Sequence, residues 1–453
     1  MTAFPTNRAT TLKAAYRICT PEPLDGEGLD LYYVDLAEVR RSEAIAGVST
    51  ILDFQDAGEH NTILFTGHRG CGKSTELKRL QRQWEKTFHV IYLEANEETD
   101  INDARYVDLY LIVIKQVEYE LRKLGLGFDA GLLKGFEDWF KEVTDETEKT
   151  VESSVSMTGE VTLSSGGIIP PFIAKLLVKL MAQIKGSDKR KTTIRQTLEQ
   201  DISRLKADIN LLLDDGLHKL RRKLPNCKDF LIIFDNLDRV PKGVSDHLFF
   251  DYAAQLQELH CTLIYTVPLA ALYSPRNMSN TFGSPNIVPM VNIYQFERDR
   301  CDLAYNEPVL AKMASVIEQR VDVEAVFAER ESLLGLARSS GGHVRQLMQI
   351  MQTSCLTAST RGHAKIEKDD VLYAVNKAQF EFERLIPAEH YPLLAQTCVT
   401  KNVSKDETGQ LMLFNTSVLE YNGTNRWNDV NPLVKKIDAF QQSLEAFQAF
   451  QAL

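Results

Sequence analysis

Three glycines, a lysine and a serine stand at the spacing that binds a polyphosphate. In the stretch GHRGCGKST, residues 67–75, four residues separate Gly67 from Gly72, which is followed by Lys73 and Ser74. Glycines let a backbone curl so that several N–H groups point inward at an anion. The spacing predicts that Lys73 reaches the β- and γ-phosphates of a nucleoside triphosphate and that Ser74 ligates Mg²⁺. We therefore expect ATP and Mg²⁺ as cofactors.

The residues on either side of this loop supply the context that the pattern requires. An apolar segment, Thr62 to Phe65, precedes it and is typical of a buried parallel strand. Leu77, Leu80 and Trp84 follow it at helical spacing, and the start of a helix adds its positive dipole end to the site. The loop residues expected to contact the nucleotide are Gly67, Gly70, Cys71, Gly72, Lys73, Ser74 and Thr75.

A carboxylate follows a second buried strand much later in the chain. The run FLIIFDNLDRV is hydrophobic from Phe230 to Phe234 and then carries Asp235. A carboxylate at such a strand tip, beside the phosphate loop, holds Mg²⁺ through water. The alternative is an ordinary acidic residue at a strand end. Together with further strands at 88–93 and 261–267 and an edge strand at 287–293, the pattern predicts an α/β fold with a parallel sheet.

Composition and charge argue against several classes of protein. The chain has 453 residues and a net charge of −10, which gives the whole molecule no footprint for sequence-independent nucleic-acid binding. Its seven cysteines form no CxxC pair, which favours a reducing compartment over a disulfide framework or a zinc site. The N-terminus lacks an apolar core of signal-peptide length, and no apolar run reaches membrane-spanning length. We expect a cytoplasmic protein.

The order of patterns predicts four parts. Residues 1–44 form a leader, which either folds over the adenine or is a plain surface helix. Residues 45–298 form the nucleotide-binding core, residues 299–385 a helical lid, and residues 386–453 a winged-helix-like domain whose hairpin turns at Asn422-Gly423.

An inserted arm at 125–225 interrupts the core. Its apolar residues from Ile194 to Leu220 make a near-heptad stripe, which needs a partner helix to cover it. The partner is either another subunit or the apolar segment at 172–184. That segment, PPFIAKLLVKLMAQIK at 170–185, is either a helix packed within the arm or an interfacial membrane helix.

With these parts placed, the chain resembles the AAA+/STAND superfamily of P-loop ATPases, particularly its replication-initiator-like and signalling branches. The resemblance is carried by residues 67–75, 232–239 and 340–348 and by the strand that ends at Thr266. It implies that Thr266 is the sensor 1 residue and that Arg345, in SGGHVRQLM, touches the γ-phosphate from the lid. It also implies that Arg276 is an arginine finger acting on a neighbouring subunit.

The chain departs from this family where most members carry a water-activating glutamate after the Walker B aspartate. Here that position is Asn236, and Asp238 lies two residues further on. Loss of a positioned general base removes about 10²–10⁴-fold in rate. Either Asp238 substitutes as the base, beside Asp235 and Arg276 as catalytic residues, or hydrolysis is slow.

The resulting expectation is an oligomerising, slowly hydrolysing switch ATPase of the regulatory or anti-phage-defence type, acting through partner proteins. The alternative is a DNA-binding initiator or transposition-type ATPase that uses the winged helix. Five positive against seven negative residues from Glu389 onward favour protein contact over DNA. A membrane-acting effector that uses the segment at 170–185 is the third interpretation.

Overall fold

The computed structural model describes residues 8–136, 138–139, 195–422 and 425–451. Its centre is a five-stranded parallel sheet with the strand order β2-β3-β4-β1-β5. The strands are β1 (Thr62–Gly67), β2 (His89–Glu94), β3 (Phe230–Asp235), β4 (Thr262–Pro268) and β5 (Asn286–Val288). The predicted α/β class with a parallel sheet core is confirmed.

Helices cover both faces of the sheet. Alternate residues of each strand point to opposite sides, so the central strands β1, β3 and β4 each contribute to two hydrophobic clusters, one on each face. In β3, Leu231 and Ile233 join one hydrophobic cluster, whereas Ile232 and Phe234 join the other. All residues of β3 and β4 are buried, as expected for central parallel strands. The edge strand is shorter than the predicted run at 287–293, because the chain leaves the sheet after Val288 and meets the C-terminal hairpin at Met290.

Helices of the N-terminal half surround this sheet. The bounds of the longer ones are Leu12–Ile18, Glu27–Tyr32, Ala44–Phe54, Lys73–Trp84, Tyr106–Lys123 and Ile202–Lys223. Shorter helical turns lie at Ala37–Arg40, Ala95–Glu98, Lys242–Asp246 and Ser279–Phe282.

The apolar stripe predicted for the arm is covered within the chain. Leu205, Ile209 and Leu220 of the helix Ile202–Lys223 are buried in one cluster with the helix Tyr106–Lys123. Gly216 permits the close approach, because a Cβ there would stand 2.9 Å from a methyl group of Leu121. This described stretch therefore leaves no open seam for a second subunit. The segment at 172–184, and with it the choice between an arm helix and a membrane helix, lies outside the described residues.

A helical lid follows the sheet. Its helices are Glu307–Glu318, Val323–Val326, Arg330–Ser340, Val344–Arg361 and Lys368–Leu385. Asn306 and Asp322 cap the first two, each accepting a hydrogen bond from a backbone N–H of the first turn. The buried side chains of these helices join the cluster on one face of the sheet, so lid and sheet share one hydrophobic core.

The C-terminal part has the helix and hairpin order of a winged helix. Its elements are the helices Tyr391–Thr400, Glu407–Phe414 and Asp438–Gln451 and the antiparallel strands β6 (Val418–Tyr421) and β7 (Trp427–Val430). Both strands are buried along their whole length. Across the described helices, no stretch combines the length and the apolarity needed to cross a membrane.

Candidate functional site

The phosphate loop joins β1 to the helix Lys73–Trp84, as the spacing of its glycines predicted. Lys73 extends back along the loop, and its Nζ donates to the carbonyl oxygens of Gly67 and His68, both at 2.8 Å. The same Nζ lies 2.9 Å from Oδ2 of Asp238. Burial by itself lowers the pKa of Lys73, but the neighbouring groups, Asp238 first among them, together outweigh burial and raise it. The lysine is therefore a buried cation, paired with one carboxylate.

Two of the loop glycines have positive φ angles and also lie where a side chain would collide with neighbouring atoms. Gly70 has φ +82°, and a Cβ there would stand 2.4 Å from Cε1 of His343. Gly67 has φ +154°, and a Cβ there would stand 2.2 Å from the carbonyl oxygen of Val288. Side chains cannot be added at these distances without moving backbone, so the loop is closely enclosed by β5 and by the lid.

Asp235 ends β3, and both of its carboxylate oxygens are engaged. Oδ1 accepts from the backbone N–H of Asn236 at 2.8 Å, and Oδ2 accepts from the hydroxyl of Tyr92 at 2.6 Å. Burial, together with the charge of Asp235, raises the pKa of Tyr92, so this tyrosine remains a hydrogen-bond donor. Ser74, in the first turn of the loop helix, lines a cavity beside the phosphate loop, together with Asn236 and Asp238.

Asn236 occupies the position where the related motif carries glutamate. Its backbone is left-handed, with φ 67° and ψ 4°. Its side-chain Nδ2 donates to Oε2 of Glu94 at 3.0 Å. Glu94 ends β2 and is aligned with Asp235 in the parallel register. The sequence interpretation missed Glu94, although a carboxylate directly after the run FHVIYL was a signal of the same kind as Asp235.

Thr266, the predicted sensor 1 residue, makes hydrogen bonds within the sheet and to the turn that follows β3. Its hydroxyl donates to the carbonyl oxygen of Phe234 at 3.1 Å and accepts from the backbone N–H of Asp238 at 3.4 Å. Through these bonds Thr266 holds the short turn Leu237–Arg239 that carries Asp238.

The leader lies across this cavity. Residues 20–24, 32–34 and 36 line it together with the loop and with Val316, Arg320 and Met348 of the lid. The backbone N–H of Leu24 donates to the hydroxyl of Thr75 at 3.1 Å. The buried guanidinium of Arg40 donates to the carbonyl oxygen of Cys71. Of the two alternatives for the leader, the structure supports the segment that covers the site.

The lid contacts the loop through the helix that begins at Val344. The backbone N–H of Arg345 donates to the carbonyl oxygen of Gly70 at 3.0 Å, and the Arg345 side chain lines the cavity. His343 caps this helix by accepting from the N–H of Gln346 at 3.1 Å. Burial holds the pKa of His343 at about 3, so it remains the neutral acceptor that a cap requires.

The C-terminal hairpin also reaches the loop, and no sequence pattern indicated this contact. Nε2 of His68 accepts a hydrogen bond from the backbone N–H of Glu420 in β6 at 2.7 Å. Burial, with the nearby His343 and Lys73, lowers the pKa of His68 to about 3. Arg69 lies over the ring of Phe414, at 5.2 Å from its centroid. The phosphate loop therefore touches leader, lid and C-terminal domain.

Arg276 lies away from this cavity, on an exposed loop. Its Nη2 is 2.8 Å from Oδ1 of Asp251, and its guanidinium stands 4.7 Å from the centroid of the Phe250 ring. The remaining predicted residues line the cavity or adjoin it; Arg276 does not. A role on a neighbouring subunit stays a prediction.

Among known proteins, the chain resembles solved structures at low sequence identity. No protein-family model matches the chain. No curated protein matches it either. Solved structures that it resembles include the Aeropyrum pernix ORC2 protein, with a TM-score of 0.40, 13% identity and coverage of 93% of this chain and 97% of that one. The Aeropyrum pernix ORC1 protein in complex with DNA gives a TM-score of 0.39, 14% identity and coverage of 97% and 98%. A Walker-type ATPase of Pyrococcus abyssi gives a TM-score of 0.41, 12% identity and coverage of 94% and 99%.

Proposed function

We propose that this protein is an ATP-binding, hydrolysing switch of the AAA+ type. The carrying observation is that three separate segments of the molecule contact the phosphate loop. Cys71 bonds to the leader, Gly70 to the lid, and His68 to the C-terminal hairpin. A phosphate that binds the N–H groups of the loop would shift the same backbone that makes these bonds, so its arrival would reach all three segments.

The residues of the cavity fit ATP with Mg²⁺. Lys73, the loop N–H groups and Arg345 would hold the phosphates, while the leader and lid side chains would enclose the nucleoside. Ser74 and Asp235 offer hydroxyl and carboxylate oxygens, which are the ligands that Mg²⁺ prefers. When bound, Mg²⁺ would neutralise charge on the β- and γ-phosphates. ATP would also have to displace Asp238 from Lys73, because the Asp238 carboxylate occupies the position on Lys73 that a phosphate oxygen would take.

The proposed output is a movement of the C-terminal domain that a partner protein detects. Regulatory and defence-type signalling belong to this proposal as its biological setting, and self-association through Arg276 would couple assembly to nucleotide state. Arg276 is exposed and its partner Asp251 is equally exposed. An exposed pair of this kind is worth little and exchanges readily, so Arg276 is available to a neighbouring subunit.

DNA binding by an initiator-type ATPase is the second candidate, and the winged-helix order of the C-terminal part favours it. The described surface offers it few cations. Lys401 and Lys435 both pair with the buried Asp429, at 3.1 and 2.7 Å, and Arg426 pairs with Glu420. DNA binding through this part would therefore depend on its two other cations, the exposed Lys405 and Lys436.

Hydrogen exchange on the full chain, with ATP, with ADP and without nucleotide, tests the switch. We expect ATP to change protection of the β6 amides in the wild type. In His68→Ala, ATP should still bind but β6 should no longer respond, whereas His390→Ala, at a half-buried histidine away from the loop, should behave as wild type. Unchanged β6 protection in the wild type at saturating ATP would contradict the proposal.

The same preparations separate the two outputs. Fluorescence anisotropy with a labelled duplex, measured across salt concentrations, reports the number of phosphates contacted. If DNA affinity appears only with ATP and falls steeply with salt, the initiator-type candidate replaces partner-protein signalling.

A further inference from the structure

Glu94 is an acidic side chain at the nucleotide edge of the sheet for which the proposed function has no role. It is the last residue of β2, directly across from Asp235 at the end of β3. In parallel sheets, ligands bind at the carboxyl ends of the strands, where the side chains of neighbouring strand tips meet. Glu94 therefore lies at the same edge as the metal-binding aspartate, one strand further from the phosphate loop.

Asn236 connects Glu94 to the cavity. Its Nδ2 donates to the Glu94 carboxylate at 3.0 Å, and Asn236 itself lines the cavity with Lys73 and Arg345. The left-handed backbone at Asn236 explains the residue type. Asparagine tolerates this conformation, whereas a longer side chain pays a steric cost there. A glutamate at position 236 would have a strained backbone. Glu94, at the tip of the neighbouring strand β2, lies in regular extended backbone and has no such strain.

The two other carboxylates at this edge, Asp238 and Asp235, already have partners or a proposed role. Asp238 is paired with the buried ammonium of Lys73. Asp235 accepts one bond on each oxygen and is the metal-binding group of the proposed site. Glu94 instead receives a bond from a neutral amide, which orients a carboxylate without neutralising its charge. A carboxylate in that state can accept a proton from water.

We propose that Glu94 is the general base for ATP hydrolysis, with Asn236 as the positioning residue that orients it. The assignment rests on the proposed ATPase activity. The oxygen of a water molecule attacks the γ-phosphorus, and Glu94 takes the proton that this water loses. The bond between the γ-phosphorus and the bridging oxygen breaks, and its electron pair leaves with ADP. Glu94 then returns the proton to solvent. No electron donor or acceptor is needed.

Single-turnover hydrolysis with saturating enzyme, beside ATP affinity from a separate titration, tests the assignment. Glu94→Gln should lower the hydrolysis rate by about 10²–10⁴-fold, the usual contribution of a general base, while ATP affinity stays within about threefold of the wild type. Glu97→Gln, at an exposed glutamate three residues further on, is the matched control and should hydrolyse at the wild-type rate.

The separation of rate from affinity distinguishes positioning from simple structural support. Asn236→Ala removes the amide that orients the Glu94 carboxylate, so the single-turnover rate should fall while ATP affinity and the free energy of unfolding stay near the wild-type values. Asn236→Ser keeps a side-chain donor and should restore part of the rate. A purely structural change would lower affinity or stability together with the rate.

Three results would overturn the assignment. Wild-type turnover in Glu94→Gln would exclude Glu94 as the base. A loss of turnover only in Asp238→Asn would return the role to Asp238, as the sequence predicted. A wild-type protein that binds ATP but never hydrolyses it would remove the reaction and leave nucleotide binding intact. Absence of ATP binding in the wild type would instead contradict the proposed function itself.

Discussion

The phosphate loop and the acidic edge of the sheet face each other across one cavity, but they are built differently. The loop is one continuous segment, 67–75, and its polar atoms bond mainly to backbone and to Lys73. The acidic edge is assembled from β2, from β3 and from the turn after β3, and each carboxylate has a specific side-chain partner. Tyr92 donates a hydrogen bond to Asp235, and Asn236 donates one to Glu94. Lys73 forms an ion pair with Asp238.

Under the proposed function, this difference would separate binding from turnover. Groups of the loop would meet charge that is present in ATP itself, so changing them should alter affinity. Glu94, at the acidic edge, would meet the attacking water, so changing it should alter the rate while affinity remains. Lys73 and Asp238 are the exception, because their ion pair joins the two regions across the cavity.

Lys73→Ala should have the largest effect and tests the loop side. It removes charge-assisted bonds worth about 1.5–3 kcal/mol each, so ATP affinity should fall by at least about 100-fold in a titration. It also leaves Asp238 buried without its cation, which should lower the free energy of unfolding by about 3–5 kcal/mol in denaturant.

The double variant Lys73→Ala with Asp238→Asn is the control for that experiment. It should recover much of the stability but none of the affinity. If affinity returned with stability, Lys73 would act through folding, and the contrast between the two regions would fail.

Gly70→Ala should have the next largest effect, and tests how tightly the lid closes on the loop. The new methyl group would meet His343 and Arg345 within 2.7 Å, so overpacking should cost about 1–3 kcal/mol of unfolding free energy. Gly58→Ala is the matched control, because Gly58 also has positive φ but no atom within 4 Å of a Cβ. Equal losses in both variants would mean that conformation alone, and not the lid contact, accounts for Gly70.

Acid should weaken the contacts that the loop makes with lid and hairpin. His68 and His343 have a folded pKa of about 3, below the ordinary value of about 6.5 in an unfolded chain. The unfolded state therefore binds more protons below pH 6.5, and stability falls as pH falls from there toward 3. Each histidine contributes up to about 1.4 kcal/mol per pH unit. Denaturant unfolding at pH 7, 6 and 5 should show this slope, and a His68→Gln variant with an unchanged slope would contradict it.

Arg276→Ala should have the smallest effect on the isolated subunit. Its exposed ion pair with Asp251 is worth about 0–1 kcal/mol, so stability and ATP affinity should barely change. Association in the presence of a non-hydrolysable ATP analogue, measured by sedimentation velocity, should weaken. Asp251→Asn, which frees Arg276, should leave association intact or strengthen it. A wild-type protein that stays monomeric with the analogue at micromolar concentration would remove the proposed role of Arg276.

The local patterns of the chain were sufficient for the sheet, the loop and the lid. Buried strands, glycine spacing and helix caps depend on neighbours within a few residues, and those neighbours are visible in the sequence. The phosphate loop, Asp235 and the hairpin that turns after Tyr421 were therefore predictable. The extent of β5 was not, because it depends on where the C-terminal hairpin takes over the backbone at Met290.

The sequence by itself determined that a glycine-rich loop with a lysine follows a strand of a parallel sheet and turns its backbone N–H groups inward. Only the tertiary structure decided which carboxylate stands opposite, because that depends on the order of the strands and not on their order in the chain. β2 and β3 are 142 residues apart at the Glu94–Asn236 bond, yet are neighbours in the sheet. The contact of His68 with Glu420 spans 352 residues. Contacts between segments so far apart are set by how the elements pack, and no local spacing encodes them.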